Sequence, residues 1–297
     1  MDPALKEQAR RSIDAGLHYL RGQQAENGSL SGSVGITALA LRGFLESHRG
    51  YNEADGPFVT RPVEFLLSKV NDDGSISESL QNRSYNTAVA LVALAATKNP
   101  KYQAAIANGQ KFLTGHQIDE GEGYKQDHRY YGGVGYGGDE RPDLSNLYLA
   151  IEGLKASATD PKDPVWQKAL TFVNRSQNRS ESNDQPWAGN DGGFVYMPGW
   201  NPPEFGGGTA SYGGMTAAGL IGLLFAGVDR GDPRIQAAYK WMTTNYTLET
   251  NPGTDAKHGL FYFYNAFAKV MAAYGDDTFT DGKGQVHNWR NELAQKL

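Results

Sequence analysis

Five stretches of small and apolar residues at helical spacing recur along the chain, each entered from a Gly-rich or Asp-Gly turn. They are 34-VGITALALRGFLES-47, 85-YNTAVALVALAAT-97, 145-SNLYLAIEGLKAS-158, 212-YGGMTAAGLIGLLFAG-227 and 258-HGLFYFYNAFAKVMAAYG-275. More polar amphipathic stretches alternate with them, at roughly 4–24, 60–70, 100–116, 163–177, 232–246 and 286–297. In the first, Leu5, Ala9, Ile13, Leu17 and Leu20 recur at spacings of three and four and draw a single apolar stripe. Pro100, Pro164 and Pro233 follow Asn99, Asp163 and Asp232, which places proline in a first helical turn behind a natural N-cap.

An amphipathic helix buries one face, whereas a helix without a polar face is buried on most sides. The alternation therefore predicts an all-α fold of helix pairs, with half-wet helices outside and small-residue helices inside. An α/α toroid and an open solenoid both satisfy it. A single domain over 1–297 is expected, with six outer helices and five inner ones. The sequence stops where a sixth inner helix should follow, so either the natural chain extends beyond Leu297 or the ring has an open slot, whose apolar seam would be a surface for association. Two insertions, near 120–143 and 179–214, are too long for plain connections and read as binding loops or lids. The one alternating stretch, 193-GFVYMPGW-200, reads as a short hairpin arm. The Asp276–Asp281 run reads as a solvated turn.

Composition narrows the function classes. A net charge of −5 with scattered basic residues gives no nucleic-acid footprint. Cysteine is absent, which excludes disulfides, thiolate nucleophiles and metal sites that need a Cys ligand. No run reaches the roughly 18–20 apolar residues of a membrane span. The first residues, 1-MDPALKEQARRSIDAG-16, lack a signal-peptide apolar core. Asp2-Pro3 reads instead as N-cap and first helical residue, and both a cytoplasmic chain and a mature secreted or periplasmic one fit.

Gln24-Ala25-Glu26-Asn27-Gly28-Ser29-Leu30 and the Gln117–Gly121 pair keep a Gln-x3-Gly spacing, and Asp73-Gly74-Ser75 and Asp191-Gly192-Gly193-Phe194 keep the turn. In this the chain resembles the prenyltransferase/squalene-cyclase repeat superfamily, the α/α toroid of triterpene cyclases and protein prenyltransferase β-subunits. Its repeats carry Gln-x3-Gly-x-Trp between an outer and an inner helix, and Leu30 stands here in the aromatic place. The glycine is expected at positive φ and the Gln side chain on free amides at the next helix start. The resemblance implies a central cavity for an isoprenoid or similar apolar ligand.

The superfamily's chemistry carries over poorly. Its cyclases protonate an alkene with an Asp-x-Asp-Asp motif at an inner-helix head; Arg141-Pro142-Asp143-Leu144-Ser145-Asn146 keeps the Pro-Asp start but has Ser145 and Asn146 in place of two carboxylates. Its zinc prenyltransferases need a Cys, and His258 lies a turn or more from the His position, where this chain has Tyr264-Asn265. A variant site from Asp255 and His258 lacks the four ligands of a structural metal site, so neither metal nor cofactor is expected. Asp143 and His258 remain the catalytic candidates. The Gly-rich stretch 130–143 follows no strand and is no nucleotide loop, and no nucleophile elbow occurs.

Tyr hydroxyls and Asn amides on buried helices need partners, which makes Tyr85, Asn86, Asn146, Tyr148, Tyr212, Tyr262 and Asn265 the expected ligand-binding set, joined by Trp187 and Trp200 from the long loop. Two other functions fit the same scaffold. A polysaccharide lyase or glycosidase would stack sugars on Trp187 and Trp200 and take carboxylates from Asp143, Asp191 or Glu204. A non-catalytic binding or scaffold module would use the cavity or the seam alone.

Overall fold

Proline at the first helical position behind an aspartate cap starts three of the helices. Asp2 accepts from the amides of Ala4 and Leu5, Asp163 from Val165 and Asp232 from Arg234. The structure, a computed structural model, describes residues 2–137, 141–254 and 257–297. Among these it has eleven α-helices: α1 (Pro3–Gly22), α2 (Val34–Glu46), α3 (Pro57–Leu67), α4 (Arg83–Ala96), α5 (Gln103–Thr114), α6 (Leu144–Ala156), α7 (Pro164–Arg175), α8 (Gly213–Phe225), α9 (Pro233–Thr244), α10 (Leu260–Tyr274) and α11 (Trp289–Lys296). No described helix is long and apolar enough to cross a membrane.

The even-numbered helices are the small-residue stretches. In α8, 11 of 13 residues are buried, so no face is left for solvent, whereas α1 buries only Leu5 and Leu17 of its 20. They pack in chain order: α2 on α4, α4 on α6, α6 on α8 and α8 on α10. Gly153 shows why small residues are needed, since a Cβ there would lie 2.9 Å from the Ala88 carbonyl of α4. Helices α3, α5, α7 and α9 cover this series, and α1 and α11, the two ends of the chain, touch each other.

One turn geometry is repeated before α2, α4, α6 and α8. Gly28, Gly74, Gly132 and Gly192 all have φ of +82° to +87°. At each, a Cβ would strike the backbone of the following odd-numbered helix, at 2.4 Å from Arg61 and 1.8 Å from Lys168 in the two tightest cases. Two residues later Leu30, Ile76, Val134 and Phe194 are buried, and the amides of Leu30, Ile76 and Phe194 donate to the hydroxyls of Thr37, Thr87 and Thr216.

The glutamines act differently from the expectation. Gln24 Nε2 donates to the Phe58 carbonyl (2.8 Å), Gln117 Nε2 to Gly132 and Val165 (3.0 and 3.1 Å), and Gln177 Nε2 to Gly192 and Arg234 (3.0 and 2.9 Å). All three tie a carbonyl of the next odd-numbered helix, and Gln117 and Gln177 also one of the turn, rather than free amides. The glycine paired with Gln117 is Gly132, not Gly121; an insertion separates the two, and Gly121 lies in a 3-10 turn over Glu120–Glu122. Gln177 escapes the Gln-x3-Gly spacing for the same reason.

The C-terminal segment also differs. Residues 286–297 are not helical throughout: β2 (Val286–Asn288) pairs antiparallel with β1 (Thr278–Thr280), Phe279 opposite His287, and the helix begins at Trp289 behind the Asn288 cap. Part of the Asp276–Asp281 run is thus a strand, with Phe279 buried against Tyr246 (centroids 4.8 Å apart). Thr-Phe-Thr and Val-His-Asn around Asp281-Gly282-Lys283-Gly284 are a hairpin pattern. The 193–200 stretch makes only isolated bridges, Gln177 with Phe194 and Met197 with Trp200.

Candidate functional site

Spacings of three and four place one face of each of four helices around a common space: Leu39, Arg42, Gly43 and Glu46 on α2; Tyr85, Ala88, Val89 and Val92 on α4; Tyr148, Leu149 and Glu152 on α6; Tyr262, Asn265 and Lys269 on α10. Ile13 and Leu17 of α1 complete the wall of this cavity, about 710 Å³ in volume. Its lining is mostly apolar. Ile13 and Leu39 are 43% and 48% exposed, which puts its open side at α1 and α2.

One wall carries a buried ion cluster. Glu152, its side chain 8% exposed, accepts from Arg42 Nη1 (2.7 Å) and from Lys269 Nζ (2.9 Å to each oxygen). Lys269 Nζ also donates to the Tyr148 hydroxyl (2.8 Å), and Arg42 Nε to Glu46 at the cavity rim (2.7 Å). Burial pushes the Glu152 carboxyl up, but Lys269 and Arg42 together outweigh it and hold it below the usual carboxylate range. Burial draws the Lys269 ammonium down against the pull of Glu152. Three acceptors surround Lys269 Nζ, which matches the three N–H bonds of a charged ammonium.

A second polar group gathers at the helix heads. Asp143, buried, caps α6 through the Asn146 amide (2.9 Å) and accepts from Asn146 Nδ2 (2.6 Å), with Tyr196 close by, its carbonyl accepting from the Leu144 amide (2.7 Å). Burial outweighs these bonds and pushes its carboxyl up to about 6. Tyr136 neighbours Tyr196, and its ring stacks on Tyr85 with centroids 6.5 Å apart, so the group adjoins the cavity. Ser84 Oγ, Asn146 Oδ1 and the Tyr262 hydroxyl are buried and have no hydrogen-bond partner among the described residues; Ser145 lies near Tyr262 without bonding it.

Of the residues singled out from sequence, Tyr85, Tyr148, Tyr262 and Asn265 line the cavity. The others do not. Asn86 donates to Ser77 Oγ and Glu78 Oε2 (both 3.0 Å), and Glu78 also accepts from the Val34 amide, which ties the heads of α2 and α4. Asn146 serves Asp143, and Tyr212 stacks on Phe205 with centroids 4.9 Å apart. Trp187 packs over Gly199, and Trp200, 41% exposed, meets Tyr196 edge-on. His258 lies before α10 with its ring edge toward Phe205, and Asp255 lies outside the described residues. Of the carboxylates weighed for sugar chemistry, Asp143 is buried in its cap, Asp191 holds the Gly193 amide and Ser211, Glu204 is exposed, and none lines the cavity.

The ion cluster is what sequence reading missed. A signal was present: Arg42, Glu152 and Lys269 each fall within a run of small and apolar residues, and a charge there must be paired when buried. A scan against protein-family models matches none of them.

Proposed function

We propose that the chain is a prenyltransferase/squalene-cyclase-like repeat protein, a ring of helix pairs whose central cavity receives an apolar, isoprenoid-like small molecule. The packing of the even-numbered helices in chain order, with α1 against α11, supports the ring. The observation that carries the ligand reading is the cavity itself. At about 710 Å³ it has the size of a small-molecule site, with an apolar wall and a few convergent polar groups. Exposed Ile13 and Leu39 at its open side offer an apolar molecule a route in.

Binding, rather than a reaction, is what the cavity's groups favour. Glu152 and Lys269 are spent on each other, and Asp143, the buried carboxyl at the α6 head, is held by Asn146. Sugar chemistry would need a free pair of carboxylates facing the space; Asp143, Asp191 and Glu204 do not line it, and the two that do, Glu46 and Glu152, are paired with Arg42 and Lys269. Native mass spectrometry of protein purified from its host tests the reading. Retention of an apolar small molecule is expected; protein that arrives empty and fails to bind added farnesol contradicts it.

A further inference from the structure

We infer that the cavity selects an amphiphile with a singly charged carboxylate head, bound at Arg42. The inference rests on the cavity reading above and adds the chemistry of the head group. The cluster holds two cations, Arg42 and Lys269, against one buried anion, Glu152. Glu46 also touches Arg42, but its side chain is half exposed, so solvent weakens its charge without cancelling it. The wall therefore carries a partial positive charge in excess, centred on Arg42.

The donors are unequally used. Lys269 spends its three N–H bonds on Tyr148 and the two oxygens of Glu152. Arg42 uses Nε on Glu46 and one N–H of Nη1 on Glu152, and among the described residues its Nη2 meets no acceptor. A guanidinium edge with unused donors beside an apolar wall fits an oxyanion with an apolar body. A carboxylate neutralises the excess charge. A diphosphate brings more negative charge than the cluster has in excess and sets it against Glu152 and Glu46. An alcohol leaves the charge uncompensated.

The test is isothermal titration at pH 8 of farnesoic acid, farnesol and farnesyl diphosphate into the whole chain. Farnesoic acid is expected to bind about tenfold or more tighter than farnesol, as a charge-assisted hydrogen bond provides, and tighter than the diphosphate. Arg42→Gln should bring acid and alcohol to similar affinity with little change for the alcohol. Glu46→Gln, at a half-exposed position that keeps the buried trio intact, should tighten the acid alone and so provides the test even where Arg42→Gln fails to fold. Equal binding of acid and alcohol by the unaltered chain, or an acid affinity indifferent to Glu46→Gln, overturns the head-group inference and leaves the cavity reading standing. Binding of none of the three overturns both.

Discussion

Lys269 Nζ on α10 lies 2.9 Å from each carboxylate oxygen of Glu152 on α6, 117 residues earlier in the chain. With Arg42 on α2, the pair joins three helices across the cavity, two of which, α2 and α10, end the series of even-numbered helices. Glu152 is the one anion the two cations share, and Tyr148 and Glu46 each serve one of them, so the arrangement is sensitive to loss of Glu152.

Glu152→Gln should therefore destabilise the fold by up to about 3 kcal/mol, because it leaves the partly buried Lys269 without an anion and Arg42 with only the half-exposed Glu46. Urea unfolding measures it. Replacing all three charged residues by Met should recover much of that loss, since an apolar trio has no desolvation penalty. A Glu152→Gln protein as stable as the parent would show that the cluster is solvated and loosely held.

Asp143 has a predictable pH signature. Its carboxyl titrates near 6 in the folded chain against a usual value of 3.8, through burial. A raised carboxyl favours folding while it is protonated; that contribution is whole below about pH 4 and is lost as pH rises through 6, a difference of roughly 3 kcal/mol. Asp143→Asn removes the titration and can still cap α6. The unpartnered Asn146 Oδ1 can then turn to accept from the new amide. The stability of Asp143→Asn minus that of the parent should rise between pH 4 and pH 7; a flat difference would place Asp143 in a solvated setting.

The repeated turn glycine can be tested against its own control. Gly132 and Gly123 have nearly the same φ, +82° and +83°, but a Cβ at Gly132 would lie 1.8 Å from the Lys168 carbonyl and one at Gly123 would meet nothing within 4 Å. Gly123→Ala should lose only the conformational term of about 1–2 kcal/mol. Gly132→Ala should lose well beyond that, by thermal or denaturant unfolding, since α7 must move away.

These residues also show how much of the fold and site could be read from the sequence. Helix positions were legible because the helical period runs through them and, at Asp163-Pro164 and Asp232-Pro233, the cap agrees with it. Gln117 and Gly132 were not, because the chain inserts a loop between two residues that pair in space. The hairpin at Thr278–Thr280 and Val286–Asn288 was overlooked because the segment reads as a polar continuation of the repeat. In the site, Tyr85, Tyr148, Tyr262 and Asn265 follow from helical phase, which sets the face they share. The pairing of Arg42, Glu152 and Lys269 depends on which helices are neighbours across the cavity, and no local pattern encodes that.

Gly43 gives the central claim its most direct measurement. It lines the cavity from α2, and a Cβ there would find its nearest neighbour, a Leu17 methyl, at 4.0 Å. Gly43→Leu should thus fill the space while gaining up to about 1 kcal/mol of helix propensity. Farnesol titrated calorimetrically into both proteins should bind the parent and not the variant, with the variant melting no lower. Equal binding by both, or none by the parent, would contradict the account.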